Sequence, residues 1–175
     1  MSSPPYTLNV NGAVATSSAV TIDTTNGVTL ECLLFVTTNN NQYVGFFKYL
    51  SNNIGFTIEM TNSYVLYSYI SNGTTGSGTD VNVNQVATNT WYHYVFTCTG
   101  TGTWTTYLNG VQVNTGSFTQ LPANTARPIT LSDGTANLNG RIGLARMYNR
   151  ALTVAEVAQN YTHVKLNTGN VYGLP

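Results

Sequence analysis

Charged side chains are the clearest shortage in this chain of 175 residues. Asp, Glu, Lys and Arg make up 7% of it, against about a quarter in ordinary globular domains. The six acidic and six basic residues cancel, so the chain lacks the excess positive charge that binds nucleic acid or anionic lipid. We therefore expect no nucleic-acid partner, and a polar surface made of Asn, Thr, Ser and Gln.

Cysteine and long apolar runs are also scarce. The two cysteines, Cys32 and Cys98, lie inside strand-like apolar runs, which fits either two buried thiols or one disulfide between neighbouring strands. No apolar run approaches the roughly 20 residues of a membrane-spanning helix, so we expect no membrane insertion. The neutral surface, rich in hydroxyl and amide groups, favours an extracellular or virion-surface location.

Paired carboxylates, which glycoside hydrolases need, are missing as well. No two acids are two or four residues apart, the spacing that would place both on one face of a strand; they are Asp23, Glu31, Glu59, Asp80, Asp133 and Glu156. Glu31 and Glu59 could meet only across strands. His93 alternates with Trp91 and Val95, where a packed, hydrogen-bonded histidine is expected. The sequence therefore predicts a protein that is not an enzyme.

Short strands dominate what is present. Alternating apolar residues recur every 8–12 residues between turns rich in Asn, Gly, Ser and Thr, as in antiparallel sandwiches and barrels. Val28 to Val36 predicts a central strand, and Trp91 to Cys98 is the densest aromatic strand. Between two further strands, Asn109-Gly110 supplies the positive φ angles of a type I′ hairpin turn. No linker or internal repeat divides the chain, so we predict one domain.

The stretch from Gly140 to Tyr161 carries the clearest helix signal. Its first half alternates as a strand, and Thr153 and Glu156 then form a capping box at a helix N-terminus. Leu152 and Val157 stand where a hydrophobic staple packs. About two turns of helix are predicted, ending near Tyr161. We place the domain at residues 1–161 and an aperiodic C-terminal tail at residues 162–175.

Three segments, in order, resemble laminin-G-like modules of the concanavalin A-like lectin/glucanase superfamily. They are Val28 to Val36, then Trp91-Tyr-His-Tyr-Val-Phe-Thr97 with Tyr107-Leu-Asn-Gly110, then Gly140-Arg-Ile through Arg146-Met-Tyr-Asn-Arg-Ala-Leu152 to Glu156. The resemblance implies an all-β jelly-roll sandwich of two antiparallel sheets, one of them concave, with one short C-terminal helix. Within it, Arg146, Arg150 and Glu156 are interpreted as a structural knot that fixes the helix to the last strand.

One departure from the resemblance concerns metal binding. Where the family commonly has an acidic pair after Gly-x-Ile, this chain has Gly143-Leu144, which weakens any expectation of calcium. Calcium prefers carboxylate and backbone oxygens from loops. Asp80 and Asp133 are the candidate ligands, although Asp133 is first of all a turn former. The main expectation is no cofactor, with calcium at these two residues as the alternative.

Glycan binding or adhesion is the principal functional hypothesis. Sugar recognition combines aromatic faces with amide and hydroxyl side chains, and this chain is rich in both. The predicted polar surfaces are the Asn39–Gln42 part of the loop that begins at Thr37, and the loop Ser71–Asp80. The candidate ligand residues are Asn39, Asn40, Asn41, Gln42, Tyr43, Tyr67, Tyr69, Asn72, Thr74, Asp80 and Trp104.

The alternative hypothesis is structural: a component of a virus or phage particle, such as a capsid decoration or fibre protein, held by protein–protein contacts. Low charge suits the cores of extended protein interfaces. Residues 1–5 and 162–175 would then serve as docking arms. The expected partners are glycans or other proteins at a cell or virion surface, and the chain could be part of an oligomer or larger assembly.

Replacing Glu156 with Ala tests the structural interpretation of the capping box. We expect the melting temperature to fall by about 2–4 °C, because one cap is lost in a domain of this size. Affinity for any ligand should not change. Thermal unfolding and binding should be measured on the same preparations, and a loss of binding without a loss of stability would contradict the interpretation.

Overall fold

The computed structural model describes residues 8–9, 15–39, 43–51, 54–73, 79–119, 121–132, 138–167 and 172–175. The elements are β1 (Leu8–Asn9), β2 (Ala15–Val20), β3 (Val28–Asn39), β4 (Tyr43–Ser51), β5 (Ile54–Thr61), β6 (Val65–Asn72), β7 (Thr79–Gln85), β8 (Trp91–Cys98), β9 (Thr103–Leu108), β10 (Val111–Ser117), β11 (Arg127–Leu131), β12 (Leu138–Tyr148) and α1 (Val154–Asn167). A 3-10 turn at Thr24–Asn26 precedes β3.

The strands form two antiparallel six-stranded sheets. The first sheet has the order β1-β12-β3-β8-β9-β10 and the second β2-β11-β4-β5-β6-β7. All strand pairs within the described residues are antiparallel. The predicted all-β sandwich of two antiparallel sheets with a C-terminal helix is therefore confirmed.

The core lies between the two sheets and follows the period of two. In β3, Leu30, Cys32 and Leu34 face the second sheet, which contributes Phe56, Ile58 and Met60 from β5, among others. One hydrogen bond crosses this core, between the hydroxyls of Ser68 and Tyr94 at 3.1 Å. The outer face of the second sheet carries the residues that alternate with these core residues along each strand.

The opposite face of the first sheet is buried too, because α1 and residues 172–175 cover it. Leu33 and Trp91 pack with Val164 and Leu174 in one apolar cluster. Val95 and Tyr107 pack with Leu152 and Val157 in another. This is why β3 and β8 are apolar on both faces. No helix among the described residues is long and apolar enough to cross a membrane.

Several local predictions are confirmed. Asn109 and Gly110 have φ values of 51° and 78°, as a type I′ turn requires. Cys32 and Cys98 are buried free thiols, and their burial raises the pKa of both, to about 12 for Cys98. Cys98 lies opposite Val28, four positions from Cys32 along β3, or about 13 Å, which is too far for a disulfide.

The predicted end of the C-terminal helix, near Tyr161, was wrong. The helix continues to Asn167, so the boundary proposed between residues 161 and 162 falls inside it. Thr162 is accommodated because its hydroxyl donates to the carbonyl of Ala158 at 2.9 Å. Tyr172 and Leu174 pack against the sheet and are not a free arm. Likewise, β3 extends to Asn39, into the loop predicted to begin at Thr37.

Gly27 offers a test of how closely the chain segments approach one another. Its φ is +88°, and a Cβ there would lie 2.2 Å from the carbonyl oxygen of Cys98. Gly27→Ala should destabilise the fold by about 3 kcal/mol, from steric overlap added to backbone strain. Gly173 is the matched control, since its φ is +60° but nothing lies within 4 Å of the added Cβ.

The control substitution Gly173→Ala should lower the free energy of unfolding by only about 1 kcal/mol, because it adds only the strain of the left-handed conformation. Urea unfolding of both variants would measure the difference. Equal losses would show that close approach at Gly27 contributes nothing.

Candidate functional site

A buried carboxylate stands at the centre of the largest polar cluster. Glu31, on β3, is fully buried between the first sheet and α1. Its Oε1 is 2.9 Å from Nε2 of His93 and 3.4 Å from Nη1 of Arg146. Its Oε2 accepts hydrogen bonds from the Tyr148 hydroxyl at 2.7 Å and the Asn160 amide at 3.0 Å. One carboxylate thus joins three strands to the helix.

The geometry fixes the proton on His93. Its Nε2 faces the carboxylate, whereas Nδ1 is buried with no hydrogen-bond partner among the described residues. The N–H that meets the carboxylate is therefore the one on Nε2, which donates to Oε1 of Glu31.

Burial tends to raise the pKa of Glu31, but hydrogen bonds from His93 and Tyr148 outweigh it. Together with the charge of Arg146, they leave this pKa below its ordinary value. Glu31 is therefore an ionised acceptor at neutral pH and not a proton donor. Helix α1 lies over Glu31, whose side chain is 0% exposed, so a substrate has no access to this carboxylate.

The carboxylates that could have formed a hydrolytic pair lie on opposite sides of the molecule. Glu31 is on the helix-covered face of the first sheet. Glu59 alternates with the core residues Ile58 and Met60, so it lies on the outer face of the second sheet. Stacked sheets are about 10 Å apart, and both side chains point away from the space between them. A separation of about 5–10 Å, as glycosidases require, is impossible here.

The interpretation of Arg150 and Glu156 as a structural knot is confirmed. Both guanidinium Nη atoms of Arg150 donate to the Glu156 carboxylate, at 2.9 and 2.6 Å. Glu156 also accepts from the backbone of Thr153 at 2.8 Å, and Thr153 accepts from the Glu156 N–H at 3.3 Å. The Arg150 hydrogen bonds, followed by those of Thr153, lower the pKa of Glu156 to about 2. Arg146 joins the Glu31 cluster instead.

The outer face of the second sheet gathers polar and aromatic residues. Strand register aligns one residue from each of five strands in a single row across it, which we call the outer row: Thr130, Lys48, Thr57, Tyr69 and Asp80. Tyr69 is half-buried, and Lys48 and Thr130 are also partly exposed. Beside the row, the Tyr67 hydroxyl donates to the Glu59 carboxylate.

Some of the predicted ligand residues converge on this face. Tyr67 and Tyr69 share it, as the period of two predicted, and Asp80 pairs with Tyr69. Asn72 ends the same strand. Sequence reasoning missed Lys48, Thr57 and Thr130, because only the register between strands brings them into the row.

The described ends of the two predicted polar loops lie far apart. Tyr43 pairs with Thr61 at one end of β5, and Asn72 pairs with Ile54 at the other. Seven residue steps of strand separate these ends, about 23 Å. Asn39 lies at the end of β3. Asn40, Asn41, Gln42 and Thr74 lie outside the described residues.

Two predicted aromatic ligands are buried. Trp104 is 6% exposed, and its ring lies against Gly116 within the core between the sheets. Tyr67 is 3% exposed, with its hydroxyl on Glu59. Neither ring face is open to a ligand in this arrangement, whereas Tyr69 is partly exposed.

The calcium hypothesis stays a prediction. Asp133 lies outside the described residues, and Asp80 is placed only by its position in β7. Among the described side chains, no group of three or more His, Cys, Asp or Glu residues could hold a metal ion.

A small cleft opens on the helix-covered face, where β12 bulges between Ile142 and Leu144. We call it the bulge cleft. Its volume is about 160 Å³, and it is lined by Leu33, Gly143, Leu144, Arg146, Val164 and Tyr172, with the exposed His163 beside them.

These features define a class: a lectin-like jelly-roll sandwich with one helix packed on the outside of a sheet. A family model of the concanavalin A-like lectin/glucanases superfamily matches residues 8–158. The chain belongs to this laminin-G-like family, as its sequence resemblance indicated. Among curated proteins, no sequence matches it significantly.

Solved structures with the same fold include binding domains of a botulinum neurotoxin and of a paraclostridial mosquitocidal protein. The binding domain of Paraclostridial Mosquitocidal Protein 1 aligns with a TM-score of 0.75 at 17% identity, over 90% of this chain and 43% of that one. The binding domain of botulinum neurotoxin DC, in complex with rat synaptotagmin II, aligns at 0.72 and 16%, over 91% and 43%.

A third structure concerns botulinum neurotoxin type C, whose cell entry depends on interaction with two ganglioside molecules. It aligns at 0.66 and 16%, over 79% of this chain and 36% of that one. This chain thus spans about two fifths of each toxin domain, and the likeness at such low identity is one of fold.

Glu31→Gln should separate the role of the buried charge from that of packing. The folded state lowers the Glu31 pKa, so its contribution is present above the unfolded value of about 4.3 and is lost as pH falls through the folded pKa. We expect the free energy of unfolding of the variant to be about 2 kcal/mol below that of the parent at pH 7. On acidification it should fall less than that of the parent.

The matched control is Glu59→Gln, the same change from carboxylate to amide on the outer face of the second sheet, away from the Glu31 cluster. Chemical denaturation at several pH values between about 3 and 7 measures both variants. If Glu31→Gln showed the parent's full acid dependence, Glu31 would not be the group responsible.

Proposed function

We propose that this protein is a non-catalytic recognition module that binds glycans on the outer face of its second sheet. The observation that carries the proposal is the partly exposed ring of Tyr69 in the middle of the outer row. It is flanked in register by Thr57 and Asp80. Such a surface offers a ring to the C–H face of a sugar and polar groups to its hydroxyls.

Thr57 adds a second reason. Its hydroxyl is buried and has no hydrogen-bond partner among the described residues, which is uncommon for a buried polar group. In the strand register, Thr57 lies between Lys48 and Tyr69. The side chains of these two neighbours would have to move apart to admit a ligand. A sugar hydroxyl inserted there would satisfy it.

The neighbouring charges suit a polar ligand. Lys48 and Asp80 stand on opposite sides of the Thr57–Tyr69 pair, with Glu59 one row away. Since one structural neighbour is described with gangliosides, sialylated glycans are the first probes we would use. The low charge of the whole chain is consistent with recognition through hydroxyl and amide groups.

The fold also fits a protein ligand, since one neighbour is in complex with synaptotagmin. The outer row has a single partly exposed aromatic ring among small polar groups, which favours a sugar over an extended protein interface. The alternative from the sequence, a virus or phage particle component, stays a prediction.

Tyr69→Ala tests the proposal directly. On a glycan array and by titration with the best glycan, we expect an affinity loss of about tenfold or more, as lost stacking is worth at least about 1.4 kcal/mol. Val65→Ala is the matched control, because Val65 is half-buried on the same face of the same strand. It should bind like the parent.

Thr57→Val provides the sharper test. If a sugar hydroxyl satisfies Thr57, the variant should bind more weakly while its stability is unchanged or raised, because an unpaired hydroxyl has been removed. Parent-like affinity in both Tyr69→Ala and Thr57→Val would place the site elsewhere. A parent protein that bound no glycan on the array would overturn the proposal itself.

A further inference from the structure

Glu59 lies directly beside the proposed glycan site on the outer face of the second sheet. It is two residues along β5 from Thr57, and it pairs with Tyr67 as Thr57 pairs with Tyr69. Neighbouring strands are about 5 Å apart, and alternate residues of one strand are about 7 Å apart. The four side chains therefore frame an area about as wide as one sugar ring.

The carboxylate of Glu59 is held at one oxygen and open at the other. Its Oε2 accepts the hydrogen bond of the Tyr67 hydroxyl, and its Oε1 has no hydrogen-bond partner among the described residues. The side chain of Glu59 is partly exposed, in contrast to the fully buried Glu31. Because the tyrosine fixes the carboxylate, Oε1 is a positioned acceptor without a donor.

A ligand group that meets Oε1 must bring its own hydrogen. A carboxylate only accepts hydrogen bonds, whereas the hydroxyl of Thr57 both donates and accepts. That hydroxyl is buried and unpartnered among the described residues. A ligand that satisfies both groups needs one hydroxyl that donates to Glu59 and a second hydroxyl, a ring width away, for Thr57. A pyranose carries hydroxyls at such spacings on one rigid ring.

The charges around Tyr69 disfavour an acidic sugar unit at this position. The outer row and the Glu59–Tyr67 pair together contain Lys48, Glu59 and Asp80, which are two acids and one base. A ligand carboxylate beside Glu59 would meet a like charge and lose binding energy. A neutral hydroxyl there gains a charge-assisted hydrogen bond instead.

We propose that the sugar unit stacked on Tyr69 is a neutral pyranose, with one hydroxyl that donates to Oε1 of Glu59 and another that pairs with Thr57. The inference rests on the proposed glycan site and names the class of sugar that this site takes. A sialylated glycan would present one of its neutral units here and its acidic unit elsewhere.

The probes are the methyl pyranosides of glucose, galactose and mannose, titrated into the full chain and followed by two-dimensional NMR. A Kd on the order of 1 mM is expected for the tightest of them. This sugar is then replaced by its monodeoxyfluoro derivatives, one for each free hydroxyl. Fluorine fills the place of a hydroxyl but has no hydrogen to donate. One derivative should bind about tenfold more weakly, because the charge-assisted hydrogen bond to Glu59 is lost.

Glu59→Gln should reduce this preference for hydroxyl over fluorine from about tenfold to about threefold, because an amide oxygen accepts a hydrogen bond without the charge. Glu156→Gln is the matched control, since it makes the same substitution on the helix-covered side, and it should keep the full preference. The ratio of the two affinities is measured within each variant, so any change in stability cancels.

Methyl α-sialoside tests the charge argument. It should bind the parent at least about fivefold more weakly than the tightest neutral pyranoside, because its carboxylate meets Glu59. The difference should narrow in Glu59→Gln and stay the same in Glu156→Gln.

A fluorine-sensitive hydroxyl whose preference falls only in Glu59→Gln, with weaker binding of the sialoside, would support the inference. Three results would overturn it: no binding of any of the neutral pyranosides, equal preferences in the parent and in Glu59→Gln, or tighter binding of the sialoside. The proposed function would still stand if Tyr69→Ala and Thr57→Val weakened binding to a glycan on the array. A parent that bound no glycan at all would overturn both.

Discussion

The position of the C-terminal helix on the first sheet depends on the buried carboxylate of Glu31. An ionised group in an apolar layer is costly unless it is fully hydrogen-bonded, and its donors come from β8, β12 and α1. The helix must therefore lie where Asn160 can reach it. The two apolar clusters on either side of Glu31 then complete the burial of this face of the first sheet. With the helix in place, Val164 and the C-terminal segment close over Trp91, and the bulge cleft is what they leave open.

The helix-covered face of the first sheet and the outer face of the second sheet therefore differ in how open they are to a ligand. On the first sheet, both oxygens of the Glu31 carboxylate are hydrogen-bonded, and the Arg150–Glu156 pair with its cap fixes the start of the helix. On the second sheet, no described helix covers the outer row, and the hydroxyl of Thr57 is left without a partner. The same sandwich thus uses one outer face for stability, and the other is the face that we propose for recognition.

Much of the fold was predictable because its signals are local. The period of two in Trp91–Cys98, the Asn109-Gly110 turn and the Thr153–Glu156 box each lie within eight residues, and all appear as predicted. The helix was extended beyond Tyr161 by a tertiary contact, the packing of Val164, which Thr162 and His163 obscure in the sequence. The Glu31 cluster and the outer row could not be predicted, because tertiary contacts bring their residues together. Glu31 and Asn160 are 129 residues apart, and the outer row is assembled by the register between strands. Similar loop compositions likewise could not reveal that Tyr43 and Asn72, beside the two polar loops, lie at opposite ends of β5.

The few charges of the chain also limit how it can recognise a ligand. Several are already used within the described structure: Glu31 and Arg146 in the buried cluster, Arg150 and Glu156 at the helix cap, Asp23 at the 3-10 turn. The buried guanidinium of Arg127 donates to the carbonyls of Ala123 and Thr125 and stacks on Tyr49. Charge used in this way cannot steer a partner over long distances. Recognition must rest on short-range contacts of rings, hydroxyls and amides, for which a sugar is a better match than a highly charged polymer.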